Sequence, residues 1–242
     1  MMIRCCCHAG DYLKKMCIGI GTLVGAYALE PSVLSAVSAW LSFETYEIFF
    51  GRDCALGVVI ALFCHEMGHV LAARIVGVRT SLPYFVPMLG AVVCLKRNAV
   101  TTACEAVIAL GGPALGSISV CVLLAVYLWT GERVCLVWSH IAALLNLINL
   151  LPCYPLDGGR IGDSISRHMW VVGIILNVVC LYVWEHIIFL LLLIFSLWRW
   201  WRQGRCIESV HHPHRTWMLG WYLLLSLFLG YLTMITEVLL LR

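Results

Sequence analysis

The chain has 242 residues, 62% of them hydrophobic and 12% charged, with a mean hydropathy of +0.94 and a formal net charge of +3. A soluble domain carries about 25% charged residues, so the composition excludes an ordinary soluble fold and specifies an integral, multi-pass membrane protein. The positive charge is too small and too dispersed for a nucleic-acid surface, and several spans with short loops leave no length for an additional large soluble domain.

In chain order, Arg4, Lys14 and Lys15 precede a first apolar run, Met16 to Leu29, which leads into Glu30-Pro31. The run starts late and has no convincing cleavage site, so it does not read as a removed signal. A second run continues from Ser32 to Phe50, with Glu44 and Glu47 near its end. Hydropathy leaves open whether the two runs cross the bilayer once or twice. The thirteen cysteines include no C-x-x-C pair, and Cys64, Cys121, Cys135 and Cys180 sit inside apolar runs. They read as small buried hydrophobes. The triplet Cys5-Cys6-Cys7 is the exception, with lipidation or metal contact as its two functional readings.

The next run predicts a helix from about Cys54 to Val76, closed by Gly77, and it carries His65-Glu66-Met67-Gly68-His69. Residues four apart lie on one helix face, so His65 and His69 can share a metal ion. Glu66 then stands beside the ion, where a carboxylate can take a proton from a bound water. At 1.5 Å per residue His65 lies roughly 15 Å into the helix, near mid-bilayer. A polar triplet at that depth is costly unless it has a function. The plainer alternative is two helical histidines and an acid satisfied by their neighbours.

Ser81 to Leu95 is apolar but too short for a span, and Pro83, Pro87 and Gly90 interrupt it. It predicts extended segments, a hairpin at the membrane edge near residues 81–96, because irregular backbone is tolerated there only against protein or a cavity. Such a strand can pair with an extended peptide; an interfacial loop is the plain reading. Further spans are expected over about Ala106 to Trp129, Val134 to Leu151, Trp170 to Trp184, Ile187 to Trp198 and Trp217 to about Ile235. The first of these opens with Gly111-Gly112-Pro113-Ala114-Leu115-Gly116-Ser117, small residues that let helices approach closely. Arg74, Arg79, Lys96 and Arg97, then Arg160 and Arg167, then Arg199, Arg202, Arg205 and Arg215 fall on one face of this topology, which the positive-inside rule makes cytoplasmic.

Zinc hydrolases use three protein ligands and keep a fourth position for water. Glu105, Glu132, Asp157, Asp163 and Glu185 are the acids near membrane depth. Asp157 stands out because its span ends on the same side as the carboxyl end of the His65/His69 helix. Two prolines before it and two glycines after it also open the backbone there.

With these residues the chain resembles the site-2 protease family of intramembrane zinc metalloproteases. The first family motif is His65-Glu66-Met67-Gly68-His69, followed by Ala72-Ala73-Arg74 and Gly77. The second, N-x-x-P-x-x-x-L-D-G, is matched by Asn149, Pro152, Leu156, Asp157 and Gly158. Pro87-Met88-Leu89-Gly90-Ala91 looks like the membrane-edge strand of these enzymes, and Gly112-Pro113 also agrees, so the resemblance covers roughly residues 50 to 165. It implies one Zn2+ per chain on His65, His69 and Asp157, Glu66 as general base, and Asn149 assisting substrate or the oxyanion. Many relatives have an asparagine where this chain has Gly116-Ser117, so no polar role is expected at that place.

The expectation is therefore an all-α polytopic membrane protein of about six to seven transmembrane helices with one short β segment. Residues 1–53 would form an N-terminal membrane segment, 54–165 the catalytic core and 166–242 the C-terminal helices. The implied partners are the lipid bilayer and a transmembrane protein substrate, with no nucleic acid. A bacterial-type inner membrane is the family expectation. The rival class is a non-catalytic metal-binding scaffold or transporter. His211, His212 and His214 read as a solvated turn, His8 and His168 as loop residues, and His140 and His186 as capping or pairing within the bundle. Trp198, Trp200 and Trp201 read as an interfacial belt.

Overall fold

The computed structural model describes residues 31–95, 101–166, 168–185, 187–203 and 215–242. The apolar run at 16–29, the Cys5-Cys6-Cys7 triplet, His8, Lys96, Arg97, Arg167, His186, Arg205 and the histidines of 211–214 lie outside them. Among the described residues there are eight helices and one two-stranded antiparallel sheet. The helices are α1 (Pro31–Phe50), α2 (Arg52–Ile75), α3 (Thr102–Thr130), α4 (Arg133–Asn149), α5 (Asp157–Ile165), α6 (Met169–Trp184), α7 (Ile187–Gln203) and α8 (Arg215–Leu240). The strands β1 (Tyr84–Val86) and β2 (Gly90–Val92) lie between α2 and α3.

Local chemistry explains the helix limits. Pro31 is the first residue of α1, where its missing N–H costs nothing. Between α1 and α2 the chain turns at Gly51, φ 79°. At the far end of α2, Gly77 (φ 73°) donates its N–H to Arg74 O. Thr101 caps α3 by accepting from Cys104 N–H at 3.3 Å, and Gly131, left-handed at φ 77°, ends it. That cap starts α3 four residues before the apolar run expected from Ala106. Likewise α7 continues beyond Trp198 to Gln203, because the helix outlasts the change from apolar to basic side chains.

Three helices, α2, α3 and α8, are long and apolar enough to cross a bilayer, and α4, α6 and α7 contribute shorter apolar stretches. Their outward faces expose Ile118, Val122, Leu128, Ile175, Val179, Leu191, Ile194, Leu224 and Leu227. An apolar surface this continuous suits lipid rather than water. The chain is an integral membrane protein. Exposed Trp40, Trp129, Trp201, Trp217 and Trp221 add interfacial aromatics.

Helix α2 sits against α1, α3, α4 and β2, while α3 also packs on α4, α5 and α8. The main core joins Ala61, Ala106, Ala109, Val120, Ala142, Ala143, Leu150, Ile161, Met218, Tyr222, Leu229 and Leu232. Two contacts define opposite ends of this body. Arg133 Nη2 donates to Leu240 O at 3.3 Å, bringing the start of α4 to the end of α8. At the other end the Arg199 guanidinium lies 3.7 Å from the centroid of the Tyr154 ring.

Candidate metal centre

The site begins with a close approach of two helices. A Cβ on Gly68 would lie 2.2 Å from Gly111 O, and one on Gly111 would lie 2.6 Å from Gly68 O. No side chain can separate the backbones here, so α3 passes over α2 between its two histidines. Gly112 is equally constrained: a Cβ there would meet His69 Cε1 at 2.4 Å and His65 Cε1 at 2.9 Å. The glycine-rich first half of α3 thus makes room for two imidazoles.

Both rings are oriented through Nδ1. His65 Nδ1 is 2.8 Å from Asn146 Oδ1, and His69 Nδ1 is 2.8 Å from Ile108 O. Amide and carbonyl oxygens only accept, so both Nδ1 atoms donate and both Nε2 atoms keep their lone pairs. The second acceptor, Ile108 O, comes from the α3 backbone, five residues before Pro113.

The two Nε2 atoms are 3.1 Å apart, and Asp157 Oδ2 lies 3.0 Å from His65 Nε2 and 3.1 Å from His69 Nε2. All three residues are buried. Asp157 Oδ2 has no hydrogen-bond donor, which leaves three electron-rich atoms converging on one point inside the protein. A metal ion resolves that repulsion, and His65, His69 and Asp157 form a group able to hold one.

The loop before Asp157 explains how it enters the bundle. Tyr222 hydroxyl donates to Leu150 O at 2.6 Å, and Ser196 hydroxyl donates to Tyr154 O at 3.0 Å. Tyr154 hydroxyl and Trp170 Nε1–H both donate to Asp163. Burial pushes the Asp163 carboxyl above its ordinary range, while those two donors and Arg199 pull it back. Gly158 lets the first turn of α5 lie against the chain it has just left, since a Cβ there would be 2.2 Å from Leu150 O. Arg160 Nη1 reaches within 3.8 Å of Asp157 Oδ1, the oxygen turned away from the histidines.

Glu66 is buried beside this group and faces the backbone of Val93, just beyond β2. The strand register pairs Tyr84 with Val92, Phe85 with Ala91 and Val86 with Gly90. Phe85 N–H points out of the ladder, donating to Ser38 Oγ at 3.1 Å, so its partner Ala91 also directs its backbone groups outward. α1 therefore covers the outer edge of β1, and the outer edge of β2 lies on the side of Glu66.

Asn149 stands near the end of α4 with Nδ2 donating to Leu145 O at 3.0 Å. The asparagine that touches a histidine is Asn146, one turn earlier, which sequence reading passed over. Its neighbour His140 pairs with Thr236 Oγ1 at 2.9 Å, the bundle role expected of it. Ser117 returns its hydroxyl to Ala114 O at 2.8 Å.

Residues 54–136 match the family model of Peptidase family M50. That segment is similar to the M50 peptidases. The match agrees with the resemblance to the site-2 proteases read from the sequence, and the family it names is one of peptidases. The M50 segment contains His65, Glu66, His69, the hairpin and α3, and it ends within α4, before Asn146, Asn149 and Asp157. The fold brings Asp157 to His65 and His69 from outside that segment. Among solved structures the chain is similar to the site-2 protease from Methanocaldococcus jannaschii, with 21% identity, coverage of 72% of this chain and 89% of that one, and a TM-score of 0.48. No curated protein sequence matches the chain.

Proposed function

We propose that the chain is a zinc-dependent endopeptidase that cleaves membrane-protein substrates within or near their transmembrane segments, in a bacterial-type inner membrane. The observation that carries this reading is the convergence of His65 Nε2, His69 Nε2 and the unpartnered Asp157 Oδ2 within 3.1 Å of one another. Zinc–ligand bonds of about 2.0–2.2 Å put tetrahedral neighbours about 3.3 Å apart, close to these separations. One zinc per chain on these residues leaves a coordination position for water. The catalytic core is 54–165, flanked by 1–53 and 166–242.

When bound, zinc would lower the pKa of its water to about 7 and polarise the scissile carbonyl. Glu66 takes the proton of the attacking water and returns it to the leaving amine. Asn149 Nδ2 serves the developing oxyanion after turning away from Leu145 O. A transmembrane helix keeps its peptide groups hydrogen-bonded to itself, so the substrate must unwind locally before attack. The outer edge of β2, with Ala91 directed outward beside Glu66, offers the unwound chain replacement hydrogen bonds.

The test is cleavage of a panel of single-span reporter proteins by the purified enzyme in liposomes. Glu66→Gln is expected to keep its zinc and to lose about 100-fold or more in rate. Equal rates for Glu66→Gln and wild type would overturn the mechanism.

A further inference from the structure

We propose that Asn146 is the positioning residue that fixes His65 for metal binding, and that Gly116 is glycine in this chain because the Asn146 amide occupies the space of its side chain. The inference rests on the metal-binding reading above and extends it to two residues outside the recognised motifs.

Asn146 lies wholly buried on α4, yet both ends of its amide are engaged. Nδ2 donates to Ala142 O at 2.7 Å, which fixes the orientation of the amide and turns Oδ1 toward His65 Nδ1 at 2.8 Å. A buried asparagine on an apolar helix is costly, and this one gives its acceptor to a candidate metal ligand. By accepting from Nδ1–H it holds the tautomer with the lone pair on Nε2, sets the ring's rotation, and makes the imidazole a stronger donor to a metal.

The amide reaches His65 only because α3 has no side chain in the way. A Cβ on Gly116 would lie 1.9 Å from Asn146 Oδ1, 2.3 Å from Cγ and 2.3 Å from Nδ2. The overlap is with the whole planar group, so rotating it does not relieve the clash. Position 116 on α3 and position 146 on α4 therefore compete for one volume beside His65. With the amide of residue 146 removed, a short amide on residue 116 has that volume to enter.

This predicts a swap. The experiment measures the zinc affinity of detergent-purified protein by competition with a chromophoric chelator, together with the thermal unfolding of the metal-free forms. Asn146→Ala and Asn146→Leu are each expected to weaken zinc binding about 10- to 100-fold, the usual effect of losing a hydrogen-bond partner of a ligating histidine. Leu keeps the buried volume and removes only the acceptor, so it reads the hydrogen bond even if the alanine variant unfolds. Gly116→Asn in the wild-type background should also weaken binding, by crowding Asn146. The double variant Asn146→Ala with Gly116→Asn should recover most of the affinity, a gain that general packing does not produce. Wild-type affinity in Asn146→Leu overturns the proposal. So does a double variant that unfolds like wild type but binds zinc no better than Asn146→Ala. Absence of zinc binding by wild type itself would instead overturn the metal-centre reading on which the proposal stands.

Discussion

At the scale of single residues, the site depends as much on absent side chains as on present ones. Gly112 is the sharpest case, since its missing Cβ would stand 2.5 Å from His69 Nε2, the nitrogen turned toward the metal position. Gly112→Ala is expected to push the ring aside and lower the bound zinc well below one per chain, read by metal analysis of the purified variant. Retention of full zinc would show that the ring can shift without losing its geometry. His65, Glu66 and His69 were legible in the sequence because a four-residue interval on a helix is a local property. Asp157 was legible from its prolines, its glycines and the side on which its span ends. Asn146 was not, since its meaning arises only when α4 crosses α2 and α3, and nothing in its apolar neighbours marks the point. The sequence pointed to Asn149, the residue proposed for the oxyanion, whose amide here hydrogen bonds to its own helix.

At the scale of elements, the hairpin relates the metal centre to an extended chain. Ser38 occupies the N–H of Phe85 on β1, leaving β2 as the edge on the Glu66 side. Ala91→Pro removes an N–H that points away from β1, a place where proline is tolerated in a strand. The expected outcome is unchanged zinc content with a KM for reporter substrates raised roughly fivefold, the worth of one hydrogen bond of about 1 kcal/mol. A change confined to kcat would argue against strand addition as the binding mode. The hairpin was readable from two prolines and a glycine in a run too short to span, but which edge would be covered was not. That depends on α1, whose serines look like ordinary small residues in an apolar sequence. The ends of the expected helices were read to within about two residues except at the start of α3, where Thr101 caps it early, at the end of α7, where Arg199 to Gln203 extend it, and at the end of α8, which runs past the expected Ile235 to Leu240.

At the scale of the whole molecule, the contacts of Arg133 with Leu240 and of Arg199 with Tyr154 give the body two ends. The topology expected from the sequence puts three spans between Gly131 and residues 204–214, and so predicts that the two lie on opposite faces of the membrane. With the basic residues of 204–214 expected inside, an epitope inserted at Gly131 should be removed by protease added to spheroplasts, while one inserted in 204–214 should survive until the membrane is opened. Removal of both in intact spheroplasts would contradict the topology. Composition alone made the chain a membrane protein, and its outward apolar faces agree. The inward faces could be assigned only from the packing.

The central claim, that His65, His69 and Asp157 together hold one zinc ion, is tested most directly by the zinc content of detergent-purified wild type and Asp157→Ala. The arrangement predicts about one zinc per wild-type chain and a sharp reduction in the variant, because two imidazoles without the carboxylate lack the third ligand of a catalytic site. Equal zinc in both proteins, or none in wild type after reconstitution with the metal, would contradict it.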